Sequence, residues 1–149
     1  MAEQPGESPG FLLWHATLRW QRAIAAALQP LDLTHVQFVL LACTWWLNGA
    51  GTHPNQVDLA AQAGTDVKMT SQVVRSLERK GLVARVADPL DARAMRVSLT
   101  AAGAELAPRA VEVVEAVDAR FFGAVELEPA LELLRHLVAG RGTTADAEA

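Results

Sequence analysis

The sequence predicts a mainly α-helical fold carrying one small β-hairpin. Three observations predict it. Apolar residues recur at helical spacing through most of the 149-residue chain. Two short stretches, Leu82 to Ala87 and Ala94 to Leu99, alternate apolar and polar residues as strands do. Between them lies Asp88-Pro89-Leu90-Asp91-Ala92-Arg93, a segment of turn formers.

The elements follow in order. Residues 1–10 hold two prolines and two glycines with no periodicity and are expected to form a flexible arm. Phe11 to Leu28 is a helix closed by Pro30. Thr34 and Gln37 have the spacing of a capping box, opening a helix to about Leu47 that is apolar nearly all round. Such a helix is expected to be buried on most sides. Asn55 caps a short helix, Gln56 to Ala63, and Gly64 ends it. Asp66 caps a second short helix running to Lys80, where Gly81 supplies a left-handed closure. In the hairpin that follows, Leu82, Ala84 and Val86 are expected on the inner face, with Met95, Val97 and Leu99 opposite. Thr100 then caps a long helix, about Ala101 to Ala124, in which Pro108 predicts a kink or a late start. A last helix opens at Pro129 and runs to about Ala139, with Leu131, Leu134, Leu137 and Val138 expected inward. The tail, 140–149, is expected to be disordered.

Two short helices joined at a glycine and followed by a β-hairpin form a winged helix-turn-helix. The organisation expected is an arm (1–10), scaffold and dimerisation helices (11–47), the winged unit (52–100), further dimerisation helices (101–139) and the tail. The second short helix has two faces. Thr70, Val73, Val74 and Leu77 repeat at packing distance, whereas Lys68, Gln72, Arg75 and Arg79 share a face without a large apolar residue. Lysine and arginine suit phosphates or guanine, and the Gln72 amide suits adenine. Met69 and Ser71 border that face near the first turn.

Charge supports this reading. The chain carries a net −4, yet between Asp66 and Thr100 seven basic residues face four acidic ones, leaving +3 there and −7 elsewhere. Phosphate contact responds to local potential. Other classes fit less well. The single cysteine excludes an intrachain disulfide, and the scattered histidines suggest no metal and no cofactor. No nucleophile–base pair or phosphate loop points to an enzyme. No apolar run reaches the ~18 residues that span a bilayer, and the acidic N-terminus is unlike a secretory signal; a cytoplasmic location without membrane contact is expected.

These residues resemble the MarR-type regulators. The likeness rests on Val57-Asp58-Leu59-Ala60, on Val73 to Val83, and above all on the pattern Asp88-x-x-Asp91-x-Arg93, then Val97-x-Leu99-Thr100-x-x-Gly103. It covers about Phe11 to Val138. It implies a homodimer in which the first and last two helices interlock, bound to double-stranded DNA at a palindrome. It further implies that Arg93 enters the minor groove from the wing tip and that Asp91 helps to hold the wing. The sequence departs from the family's pattern at Asn55, where Ser or Thr is usual, and at Gln72, where many members are basic.

The resemblance also implies a small aromatic or phenolic effector bound between the dimerisation helices and the winged unit. Trp14, His15, Arg19, His35, Phe38 and Trp45 are the candidate lining. Cys43, in the middle of the most apolar helix, reads as structural; a thiol-based sensor is the alternative. A winged protein-interaction module without DNA contact is the rival from another class.

Overall fold

The computed structural model describes residues 4–91 and 93–140; the expectations for residues 1–3 and for the tail beyond 140 lie outside them. Six helices and two strands run in the order α1 (Pro9–Leu28), α2 (His35–Gly49), α3 (Gln56–Ala63), α4 (Val67–Arg79), β1 (Val83–Ala87), β2 (Met95–Leu99), α5 (Ala101–Phe121) and α6 (Leu127–Ala139). The fold is the expected one: mainly helical, with a single antiparallel hairpin among the described residues.

Local chemistry sets the helix starts. Thr34 and Gln37 form the capping box of α2, and Asn55 with Asp58 forms a second one on α3. Asp66 accepts from the Met69 amide at 2.7 Å, and Thr100 from the Gly103 amide at 3.1 Å. The arm contributes more order than expected: Ser8 caps α1 by accepting from the Phe11 amide, so the helix begins at Pro9. Of the kink or late start expected at Pro108, the late start does not occur: α5 begins at Ala101, includes Pro108 and ends at Phe121.

Helix α2 is the hub, packing against α1, α3, α4, α5 and β2. Phe38, Leu40, Leu41, Ala42, Cys43 and Thr44 are all buried, as an all-round apolar helix demands. Ile24 and Leu28 of α1, Val74 and Leu77 of α4, and Ala107, Ala110, Val114 and Val117 of α5 complete one continuous core.

The strand phase of β1 differs from expectation. Val83, not Ala84, is buried, and Val86 is 45% exposed. The cause lies in the closure of α4. Gly81 takes φ +72°, its amide donates to the Glu78 carbonyl, and the Leu82 amide donates to the Leu77 carbonyl at 3.0 Å. Leu82 is therefore spent on ending the helix, and the strand starts one residue later. A one-residue shift exchanges the faces, so Arg85 comes to lie opposite Val97. Met95, also expected inward, is exposed at the outer end of β2.

Helix α6 also departs from expectation. It begins at Leu127 and buries none of its residues; Leu134 and Leu137 are exposed, and Val138 is 88% exposed. Its apolar periodicity is real, but among the described residues Leu133, Leu134, Leu137 and Val138 are left exposed.

At the base of the wing, a Cβ on Gly103 would lie 2.0 Å from the Leu82 carbonyl oxygen. That carbonyl also accepts from the Thr100 amide, and the Thr100 hydroxyl donates to the Gly81 carbonyl. The end of α4, the root of the wing and the start of α5 meet at this point.

Candidate nucleic-acid interface

Helix α4 is seated by Thr70, Val74 and Leu77, all buried, with Val73 half-buried. The Thr70 hydroxyl lies 2.7 Å from that of Thr65 and bonds the Asp66 carbonyl, which closes the turn after α3. Gly64 takes φ +72° there, a left-handed conformation that favours glycine. With the apolar stripe inside, Lys68, Met69, Gln72, Arg75 and Arg79 are exposed and Ser71 is half-buried at the border. All six lie on the solvent-facing side of one helix.

The seven cations of the winged unit divide into two sets. Arg85 donates through Nε and Nη2 to the two oxygens of Glu78, at 2.8 and 3.3 Å, in a two-pronged pair. That contact holds the Glu78 carboxyl below its ordinary range. Arg96 donates from Nε to Asp88 at 2.9 Å and from Nη1 to the His53 carbonyl at 3.0 Å. Lys80 lies 3.6 Å from the Asp32 carboxylate. Lys68, Arg75, Arg79 and Arg93 make no ion pair among the described residues. These four are the cations available to an external anion.

The wing tip is held by two aspartates. Asp88 accepts from the Leu90 amide at 2.8 Å, and Asp91 from the Arg93 amide at 3.0 Å. The Leu90 amide, with the Arg96 guanidinium second, pushes the Asp88 carboxyl below its ordinary range. The Arg93 side chain is exposed beside Leu90, which is 92% exposed. At the root, the Val97 amide donates to the Pro54 carbonyl, and Arg96 bridges to Asn55, adding a third short edge to the hairpin. From the sequence Asp88 stands out as the first residue of the wing pattern, without a partner, and Arg96 only as one of the basic residues of the stretch. The Asp-Pro turn signals Asp88, whereas Arg96 is recognisable only once the fold brings Asp88 and His53 to it.

The six candidate effector residues are not gathered into one cavity of the single chain. Trp14 is 62% exposed near the start of α1, and His15 stacks edge-on against Phe11 with centroids 4.5 Å apart. Arg19 is exposed, Phe38 belongs to the core and Trp45 leans on Trp46. His35 alone of the six borders a described cavity, about 300 Å³ in volume, with Gln29, Asp32 and Lys80 also on its walls. His35 also stacks edge-on against Trp20, whose indole N–H donates to Asp118 at 2.8 Å. Burial pushes the His35 imidazole below its ordinary value, against the pull of Asp118. Cys43 is buried, and burial pushes its thiol up, away from the thiolate that oxidant sensing needs. No single helix among the described residues is long and apolar enough to cross a membrane.

Comparison with known proteins identifies the family. The MarR family model matches residues 33–95. An uncharacterised HTH-type transcriptional regulator of Bacillus subtilis, YdcH, is 44% identical over 137 residues, spanning 89% of this chain and 93% of that protein. The HTH-type transcriptional repressor Rv2887 of Mycobacterium tuberculosis is 37% identical over 111 residues, 74% of this chain and 77% of the repressor. A structure of Rv2887 in complex with salicylic acid superposes with a TM-score of 0.65 at 32% identity, covering 93% of this chain and 98% of that one. CouR of Rhodococcus jostii, bound to p-coumaroyl-CoA, superposes with a TM-score of 0.80 at 25% identity, covering 96% and 99%. With the winged unit, its cationic face and a relative matched along nearly the whole chain, the protein belongs to the MarR family of DNA-binding transcriptional regulators.

Proposed function

We propose that this regulator acts as a homodimeric repressor on a pseudo-palindromic operator, with half-sites about one helical turn apart. Each α4 lies in a major groove, where Lys68, Met69, Ser71, Gln72, Arg75 and Arg79 meet bases and backbone. Each wing places Arg93 in the adjacent minor groove, whose narrow form concentrates negative potential, and Asp91 holds the turn that presents it. The observation that carries this reading is the division of the cations. Arg85 and Arg96 are occupied by Glu78 and Asp88, whereas Lys68, Arg75, Arg79 and Arg93 point outward without an acidic partner among the described residues.

The second copy is supported by α6, where Leu133, Leu134 and Leu137 are exposed among the described residues. The repressor named among the relatives supports the direction of control. A small aromatic or anionic effector is supported by the salicylic acid and p-coumaroyl-CoA held by two relatives; the cavity beside His35, between the end of α1 and the end of α4, is its proposed place. Trp14, His15 and Arg19, exposed along α1, would join such a site across the proposed dimer. A ligand of this kind acts through unequal affinity for two spacings of the recognition helices.

A mobility-shift assay on DNA selected from a random pool tests the proposal. The wild-type protein should select a two-fold symmetric site, and Arg93→Ala should weaken it by about tenfold or more and flatten its salt dependence. Unchanged affinity and salt dependence in Arg93→Ala would remove the minor-groove role.

A further inference from the structure

The buried side chain of Gln37 has more partners than a capping residue requires. It stands in the first turn of α2 and is one of the few buried polar residues. Its Oε1 accepts from the Thr34 amide at 3.0 Å, which is the capping duty. The same oxygen accepts from Lys80 Nζ at 2.9 Å, and its Nε2 donates to Ser76 Oγ at 3.1 Å. Ser76 in turn donates to the Val73 carbonyl at 2.6 Å. Lys80 also donates to the carbonyl of Asp32. Asp32 holds φ +54°, a left-handed conformation for a residue with a side chain. One amide thus grips the last turns of α4 at two points one helical turn apart.

We propose that Gln37 is a positioning residue for DNA recognition: through Ser76 and Lys80 it fixes the roll of α4 about its own axis relative to α2. This rests on the operator-binding reading above. Helix α4 is otherwise seated on Thr70, Val74 and Leu77 and tied to β1 by the Glu78–Arg85 pair, but among the described residues the Gln37 amide supplies its side-chain hydrogen bonds to α2. Hydrogen bonds are directional and fix the rotation of the helix. Ser76 and Lys80 lie on the flank of α4 between its buried stripe and its cationic face, where a tether opposes roll most effectively. Side-chain tips stand about 5–6 Å from a helix axis, so a roll of about 20° displaces them by roughly 2 Å. A shift of that size breaks a bidentate contact to a base edge but leaves a phosphate attraction nearly intact. The latch therefore bears on specificity more than on general affinity. It also joins the DNA-reading helix to α2, which packs on α1 and α5.

The test uses Ser76→Ala with Lys80→Met, which removes both arms and leaves the Gln37 cap in place. Lys80 already faces Asp32, so non-specific binding and the salt slope should hold. The ratio of affinities for the wild-type-selected operator and for scrambled DNA should fall by about tenfold, the size of one lost base contact. A ratio within about twofold of wild type would overturn the proposal.

A second measurement needs no DNA. Nitroxide labels at Arg75→Cys on α4 and Glu112→Cys on α5, in a Cys43→Ala background diluted with unlabelled protein, report one intrachain distance. The distance should be narrow with the latch and broadened or displaced without it. An unchanged distribution overturns the latch. Failure of the wild type to select any DNA would instead refute the operator-binding reading, leaving the label distances to decide on Gln37. Should the double variant not fold, Ser76→Ala alone keeps Lys80 in place and should move both measurements in the same direction.

Discussion

Helices α4 and α6 are both thirteen residues long and both amphipathic, yet they treat their apolar stripes in opposite ways. In α4 the stripe is seated within the chain, on Thr70, Val74 and Leu77, and the polar face is left for a partner of opposite charge. In α6 most of the stripe is left uncovered by the described residues, and Leu133, Leu134 and Leu137 are exposed. The difference teaches that an amphipathic helix advertises a partner through whichever face its own chain leaves unsatisfied. In the function proposed above, the partner of the α4 face is phosphate and base edges, and that of α6 is another apolar surface.

The largest effect should come from spoiling the face that α6 offers. Leu134→Glu with Leu137→Glu removes about 1.5–3 kcal/mol per leucine, and a two-fold interface counts every change twice. The dimer dissociation constant should rise by about four orders of magnitude or more, read by sedimentation, while the circular dichroism of the fold persists. A dimer of unchanged strength would show that α6 faces something else.

The corresponding change in α4 strikes folding instead. Leu77→Ala leaves a cavity beneath the recognition helix and should lower unfolding free energy by about 2–5 kcal/mol in a denaturant titration. Smaller still is the effect expected on the polar face. Arg75→Ala should leave stability alone and weaken operator binding by about tenfold, whereas Arg85→Gln, whose guanidinium is engaged by Glu78, should change it by less than about threefold. Equal losses from the two would erase the division between occupied and available cations.

The smallest effect concerns the wing's pH dependence. The Asp88 carboxyl is held below its ordinary value of 3.8 by the Leu90 amide and then Arg96. A depressed folded value means that this contribution is fully present above the unfolded value and is lost as pH falls through the lower folded one. The Leu90 amide resonance should therefore titrate with a midpoint below 3.8.

Much of this was legible because it is local. The caps at Thr34, Asn55, Asp66 and Thr100 each bond a backbone amide three residues ahead, a distance that a sequence pattern spans easily. The two faces of α4 were legible for the same reason. The phase of β1 was not, because Leu82 could serve either the helix end or the strand, and only the folded chain shows that the helix claims it. The stripe on α6 was visible, but periodicity names a face and not what covers it. Least legible were contacts that join distant positions. Trp20 and Asp118 stand 98 residues apart, and Gln37 and Lys80 stand 43 apart. Nothing in the spacing of either pair signals the bond.

The meeting point at Leu82 and Gly103 bears on how this wing can vary. Its root admits neither a longer side chain at 103 nor an inserted residue between Lys80 and Val83, since either would dislodge a carbonyl that receives Thr100 or reverse the faces of the strand. Outward of the Asp88–Arg96–His53 link, the tip is closed among the described residues by the turns at Asp88–Leu90 and Asp91–Arg93. Substitutions at Pro89 or Leu90 leave the hydrogen bonds of the root in place, so the outermost residues of the wing can change while the joint beneath them is inherited intact.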